Sequence, residues 1–147
     1  MSLPLYKSGG PGWKYMKNHR KIPALFVIAV IFYLTFQTPS QTTSLSEGFR
    51  AWLANNLGIV WDSPTVRSNA HLPEYFALGF TLCLWFGWKK SLWVGSLIGL
   101  IDETIKIILP TRHFDLIDLG KDIIGVAIGV FVFQFLKEII CRFKKSF

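Results

Sequence analysis

Ionisable residues recur at helical spacing inside stretches of this chain that are otherwise apolar. Asp102, Glu103 and Lys106 interrupt the run from Leu92 to Leu109, His71, Glu74 and Tyr75 open the run that continues to Trp88, and Asp118 and Asp122 lead into the run from Ile123 to Ile140. A charge in the middle of a membrane helix costs roughly 2.5 to 3.5 kcal/mol on insertion scales and is generally kept for a role. Two kinds of chemistry suit these residues. Arg67, His71 and Arg112 can hold anionic groups of a ligand, with Glu74, Glu103 and Asp118 orienting them or accepting hydroxyl and amide donors. Alternatively, Glu103 or Glu74 acting with His71 can perform general acid/base catalysis. A structural role for the same charges is mutual neutralisation that fixes helix register, although registry needs only two or three ions. No nucleophile elbow, phosphate-binding glycine loop or His-rich zinc signature is present, so no metal and no cofactor are expected.

The elements that must position these residues follow from the apolar pattern. At 51% hydrophobic and 16% aromatic residues, with a mean hydropathy of +0.38 over 147 residues, the chain is too apolar for an ordinary soluble domain of this size. The net charge of +7 does not point to nucleic acid, because a basic DNA-binding domain would not also carry four long apolar stretches. Those stretches predict spans at about 22–37, 71–88, 91–109 and 118–140, each near the roughly 17 to 25 residues that a crossing needs. The expected fold is an all-α membrane protein, four transmembrane helices in an antiparallel bundle with a short amphipathic helix in the first outer loop. Residues 22–140 form one domain, preceded by a basic cytoplasmic segment over 1–21 and followed by a basic tail over 141–147.

Charge location sets the orientation. Lys7, Lys14, Lys17, Arg20 and Lys21 precede the first span, Lys89 and Lys90 join the second to the third, and Lys137, Arg142, Lys144 and Lys145 end the fourth. Only Glu138 opposes them on that side, while the other side holds five basic residues against eight acids. Positive loops stay inside, so both termini are expected in the cytoplasm of a multi-pass cell-membrane protein. Thr35-Phe36-Gln37-Thr38-Pro39 offers no small-x-small cleavage site, so the first apolar segment is read as a retained span. Cys83 and Cys141 fall at different depths and are read as packing residues.

Within the third span Gly95, Gly99, Asp102 and Lys106 share a face, and in the fourth segment Asp115, Asp118, Asp122, Gly125 and Gly129 do the same. Set antiparallel, the charged residues meet at the outer end and the glycine pairs face each other below, which predicts a tight hairpin of the third and fourth helices. Asn69 is placed as the N-cap of the second span, with Pro73 tolerated in its first turn. Ser44-Leu45-Ser46-Glu47 has capping-box spacing and predicts the start of the outer amphipathic helix, with Gly58 as its stop.

The same residues give a family resemblance. The chain resembles the VanZ-like family, named for a teicoplanin-resistance protein, from about Ile22 to Ile140. It carries His71-Leu72-Pro73-Glu74-Tyr75 where the family has His and, four residues on, Tyr. Glu103-Thr104-Ile105-Lys106 stands for a Glu-x-x-Gln, Pro110-Thr111-Arg112 for a Pro-x-Arg turn, and Asp118, Asp122, Gly125 and Gly129 for an Asp leading to Asn and a Gly-xxx-Gly. Phe36-Gln37-Thr38-Pro39-Ser40 also looks like the family's exit from the first span. Lys106 replaces the family's Gln and Asp122 its usual Asn, so the two are expected to pair directly.

The resemblance implies an envelope protein that lowers glycopeptide susceptibility. Together with the polar cup, it implies a binding protein for an extracytoplasmic amphiphile, such as a glycopeptide antibiotic, a lipid headgroup or a lipid-linked wall precursor. The ligand set expected is Arg67, His71, Glu74, Tyr75, Asp102, Glu103, Lys106, Arg112, Asp118 and Asp122, with Gly95, Gly99, Gly125 and Gly129 packing the helices. Membrane lipids are the other expected partners; nucleic acid is not one, and the oligomeric state is left open. Two further readings stand beside this one: an acid/base hydrolase or transferase acting on a lipid-linked substrate, and a small transporter or assembly subunit.

Overall fold

The computed structural model of the chain describes residues 19–109 and 112–145. Lys7, Lys14 and Lys17 of the basic N-terminal segment, Pro110 and Thr111 of the Pro-x-Arg turn, and the side chains of Lys144 and Lys145 lie outside the described residues. Five helices account for most of the rest, and there is no strand among the described residues. They are α1 (Ile22–Thr35), α2 (Pro39–Leu57), α3 (Ser63–Phe86), α4 (Trp88–Ile108) and α5 (Leu116–Lys145). By length and composition α5 can cross a membrane over Leu116–Phe143, and α1 with α2 passes the same test as a pair bent by 111°.

Two helices begin earlier than their sequence signals suggested. The helix in the first outer loop starts at Pro39 rather than after Ser44, because Thr38 and Gln41 form a complete capping box. The Thr38 amide donates to Gln41 Oε1 at 3.0 Å, and the Gln41 amide donates to Thr38 Oγ1 at 3.4 Å. Proline at the first helical position adds a preset φ. The helix stops at Gly58, whose φ of 68° is left-handed.

Likewise α3 starts at Ser63, not near Asn69, since Asp62 Oδ1 accepts from the Thr65 amide at 3.3 Å and a proline again occupies the first turn. The Thr65 side chain first, and then this amide, lower the pKa of the exposed Asp62 carboxyl from its ordinary value. Asn69 is therefore an interior residue, and Pro73 sits within the helix rather than at its first turn. Without an N–H, Pro73 leaves the Asn69 carbonyl lacking its usual partner four residues on. A single residue, Gly87 at φ 77°, ends α3 and starts α4. Asp115 is a cap and not part of a helical stripe, its Oδ1 accepting from the Ile117 amide at 2.8 Å as α5 begins.

Helix α3 runs through the middle of the molecule and touches all four others. Its closest neighbour is α5. A Cβ on Gly129 would lie 2.1 Å from the Phe76 carbonyl oxygen, one on Gly125 2.7 Å from that of Leu72, and one on Gly79 2.3 Å from that of Val126. The tight backbone contact is thus between the second and fourth apolar segments, and the α4 glycines do not face those of α5. Gly95 instead receives the Val126 side chain, and Gly99 receives Asp122 and Tyr75. Gly79 on α3 completes a three-glycine seam with Gly125 and Gly129, which drew the pairing away from the expected hairpin. Below the polar layer the core is Ala24, Ile31, Tyr75, Leu78, Leu82, Cys83, Val126 and Val130.

Candidate functional site

A buried polar cluster forms where α3, α4 and α5 meet. On α4, Lys106 Nζ contacts Glu103 Oε1 and lies 3.8 Å from Asp102 Oδ2 and 3.3 Å from His71 Nε2 on α3. On its other side His71 Nδ1 is 2.9 Å from Asp122 Oδ1 of α5. Both ring nitrogens of His71 are satisfied when Nδ1 carries the proton and donates to Asp122 while Nε2 accepts from Lys106. No direct ion pair joins Lys106 to Asp122 among the described residues; the expected contact is replaced by one through the imidazole. Lys106 is near two closer carboxylates on its own helix at positions three and four residues back, and these capture it first.

The neighbours of this cluster are held in turn. The Thr35 hydroxyl reaches Asp102 Oδ1 from α1. Glu103 Oε2 accepts from the Asp115 amide at 3.1 Å, tying the end of α4 to the start of α5. Asp118 accepts from Ser68 Oγ at 2.6 Å, and Lys121 donates to the same Ser68 oxygen while lying 3.9 Å from Asp118. Tyr75 is fully buried and stacks against His71 with centroids 6.3 Å apart. Its hydroxyl and Asp122 Oδ2 are the two buried atoms here without a hydrogen-bond partner.

His71, Asp102, Glu103 and Asp122 each offer a donor atom within 4.8 Å of the others, a set that could hold a metal ion. The Lys106 ammonium already touches or approaches three of the four, so a metal would first have to displace it. Nothing in the donor set therefore calls for an ion beyond the lysine.

In front of the cluster, toward α1 and α2, lies a cavity of about 200 Å³. Arg67, His71, Glu74, Asp102, Lys106 and Arg112 of the expected ligand set line it, together with Thr35, Gln37, Thr42 and Ser46. Tyr75, Glu103, Asp118 and Asp122 do not; they stand behind it as support. Arg112 reaches across the turn so that its Nη2 lies 3.2 Å from the Leu34 carbonyl, 3.3 Å from that of Gln37 and 2.9 Å from Thr42 Oγ1. It thereby closes the junction of α1 and α2. Burial pulls its pKa below the ordinary arginine value, and the nearby Arg67 adds to the effect.

A second, larger space of about 940 Å³ adjoins the cavity and runs between α1 and α3. Its wall is apolar, including Phe26, Val30, Leu53, Trp61, Leu72 and Ala77, with Asn69 and Pro73 among them. Ile31, Phe49, Val66, Ala70 and Glu74 line both spaces, so the two meet along a shared edge. Sequence reasoning missed Thr35 and Thr42, whose signal was a hydroxyl at each side of the Gln37-Thr38 bend. It also missed the groove, because its residues are ordinary apolar members of two spans.

These features define an all-helical protein with a polar cavity at one end, backed by a closed ionic cluster and opening onto an apolar groove. The family model described as VanZ/LLP1 matches residues 2–137. The chain belongs to that family. No curated protein and no solved structure matches it.

Proposed function

We propose that this chain is a four-span envelope membrane protein, both termini cytoplasmic, which binds an extracytoplasmic amphiphile with its polar head in the cavity and its chain in the groove. The observation that carries this reading is the shared edge between a charged cavity and an apolar groove open between α1 and α3. A small polar solute would need only the first, and a hydrocarbon only the second; an amphiphile needs both side by side. At 1.5 Å per residue α3 and α4 reach about 36 Å and about 32 Å, long enough to cross the roughly 30 Å hydrocarbon layer. At the α3–α4 junction Lys21 lies 5.9 Å from the Trp85 ring and Lys89 5.3 Å from that of Trp88, which supports placing this end at the cytoplasmic interface. Indoles with lysines at one level are characteristic of a membrane interface. Through such binding the protein would lower teicoplanin susceptibility by sequestering the drug or remodelling the lipid it approaches.

The hydrolase reading gains less from the geometry. Of its two candidate acids, Glu103 does not line the cavity and is held by Lys106 and the Asp115 amide, while Glu74 lines it but forms no hydrogen bond or ion pair with His71 among the described residues. The His71 Nε2 lone pair is directed at an ammonium rather than at the cavity.

The test is to delete the gene, restore it, and restore it as Ala70→Trp, which fills the shared edge, or as Arg112→Ala. Sensitivity to teicoplanin and vancomycin should rise on deletion and fall only with the unaltered gene. Unchanged sensitivity in all strains removes the resistance role. Equal retention of a fluorescent lipid by Ala70→Trp and the unaltered protein in detergent removes amphiphile binding.

A further inference from the structure

Of the lysines and arginines around the polar end, all but two are matched to carboxylates among the described residues. Lys106 belongs to Glu103 and Asp102, Lys121 approaches Asp118, and Arg50 pairs with Glu47. Arg67 and Arg112 form no ion pair among the described residues, and all nine acids of the chain are among them. Both line the cavity. The bonds of Arg112 go to two carbonyls and a hydroxyl, all through Nη2. For Arg67 the described bond is a long one, Nη2 to Thr43 Oγ1 at 3.5 Å, and its buried Nε has no partner.

Two guanidinium groups that line one partly enclosed cavity, neither held in an ion pair, make a poor arrangement unless an anion sits between them. We infer that the head of the ligand carries a phosphate, held between Arg67 and Arg112. A carboxylate presents one plane and one charge, for which one guanidinium fork suffices, whereas a tetrahedral phosphate has oxygens for forks arriving from two directions. Glu74 stands at the shared edge, lining both spaces, and has no hydrogen bond or ion pair among the described residues. Its position disfavours an anion lodging there, which leaves the arginine side of the cavity for the phosphate and the groove for the chain.

This inference rests on the amphiphile reading, and the experiment separates the two. Full-length protein in a neutral detergent is titrated, following tryptophan fluorescence, with dioctanoyl phosphatidic acid, dioctanoylglycerol, dodecanoate and inorganic phosphate. Phosphatidic acid should bind on the order of tenfold more tightly than dioctanoylglycerol or dodecanoate, about the effect of one hydrogen bond to a charged group. Arg67→Gln, which removes no strong internal bond, should erase most of that preference, and Arg67→Lys should keep part of it. Inorganic phosphate should compete only weakly. Equal binding of phosphatidic acid and dioctanoylglycerol, equal binding of dodecanoate, or an unchanged preference in Arg67→Gln overturns the phosphate while the amphiphile reading stands. Tight inorganic phosphate with no lipid bound keeps the anion and overturns the amphiphile. Binding of none of the four overturns both.

Discussion

Lys106 and Arg112 enter the polar end six residues apart, one from the last turns of α4 and the other from the connection to α5, and they meet opposite fates. Lys106 is buried between two carboxylates and an imidazole, and its ammonium is engaged by all three. Arg112 faces the other way, toward α1 and α2, where backbone carbonyls and a hydroxyl take one of its nitrogens and it forms no ion pair among the described residues. The region behind His71 is closed upon itself, and the region in front of it keeps two arginines without an ion pair among the described residues. Charge of the same sign thus supports the fold in one place and can recognise a ligand in the other. What separates the two is whether a carboxylate of this chain reaches the cation.

The strongest way to break that contrast is to open the closed region. Lys106→Ala leaves Asp102 and Glu103 without their cation and is expected to cost about 3 to 5 kcal/mol of stability, read as loss of folded protein in detergent unfolding. Lys106→Gln combined with Asp122→Asn keeps amide donors at both positions and should cost less than half as much. Equal losses would mean that the cluster does not act as a matched set.

Next in size is the frame both regions share. Gly129→Ala places a methyl group against the Phe76 carbonyl and forces α3 from α5, at a cost of about 1 to 3 kcal/mol in the same assay. Gly48→Ala, where a Cβ meets nothing within 4 Å, should stabilise or leave the protein unchanged.

The open region should behave differently. Arg67→Gln is expected to alter stability by no more than about 0.5 kcal/mol while weakening lipid binding. A large stability loss would show that this arginine belongs with the closed region. The smallest effect is expected for Tyr75→Phe, because the hydroxyl removed has no hydrogen-bond partner. Its unfolding midpoint should match that of the unaltered protein or exceed it slightly.

Much of this arrangement was legible in the sequence, and the exceptions have physical causes. Spacing by threes and fours placed Asp102 and Lys106 on one face and Asp118 and Asp122 on another, and those residues do converge. Gly58 stops α2 as its position suggested. The α3–α5 seam was hidden because Gly79 stands alone on its helix, with no small residue four positions away to flag it. The early start of α3 was readable in Asp62-Ser63-Pro64, an acid cap followed by proline, but the apolar run beginning at Leu72 drew the boundary inward. The role of His71 between Lys106 and Asp122 could not be read from spacing, since it depends on how three helices rotate against one another.

Pro73 has a consequence for how this protein should be studied. The Asn69 carbonyl, without the amide that a residue other than proline would supply, belongs to a pair of residues lining the groove. Where that oxygen faces the groove, it is an acceptor for a hydroxyl on an incoming molecule. Alanine scanning would pass over it, because every substitution at Asn69 retains the oxygen. Replacing Pro73 restores the missing N–H and lets the helix reclaim that acceptor, so a change at one residue would remove a contact made by another.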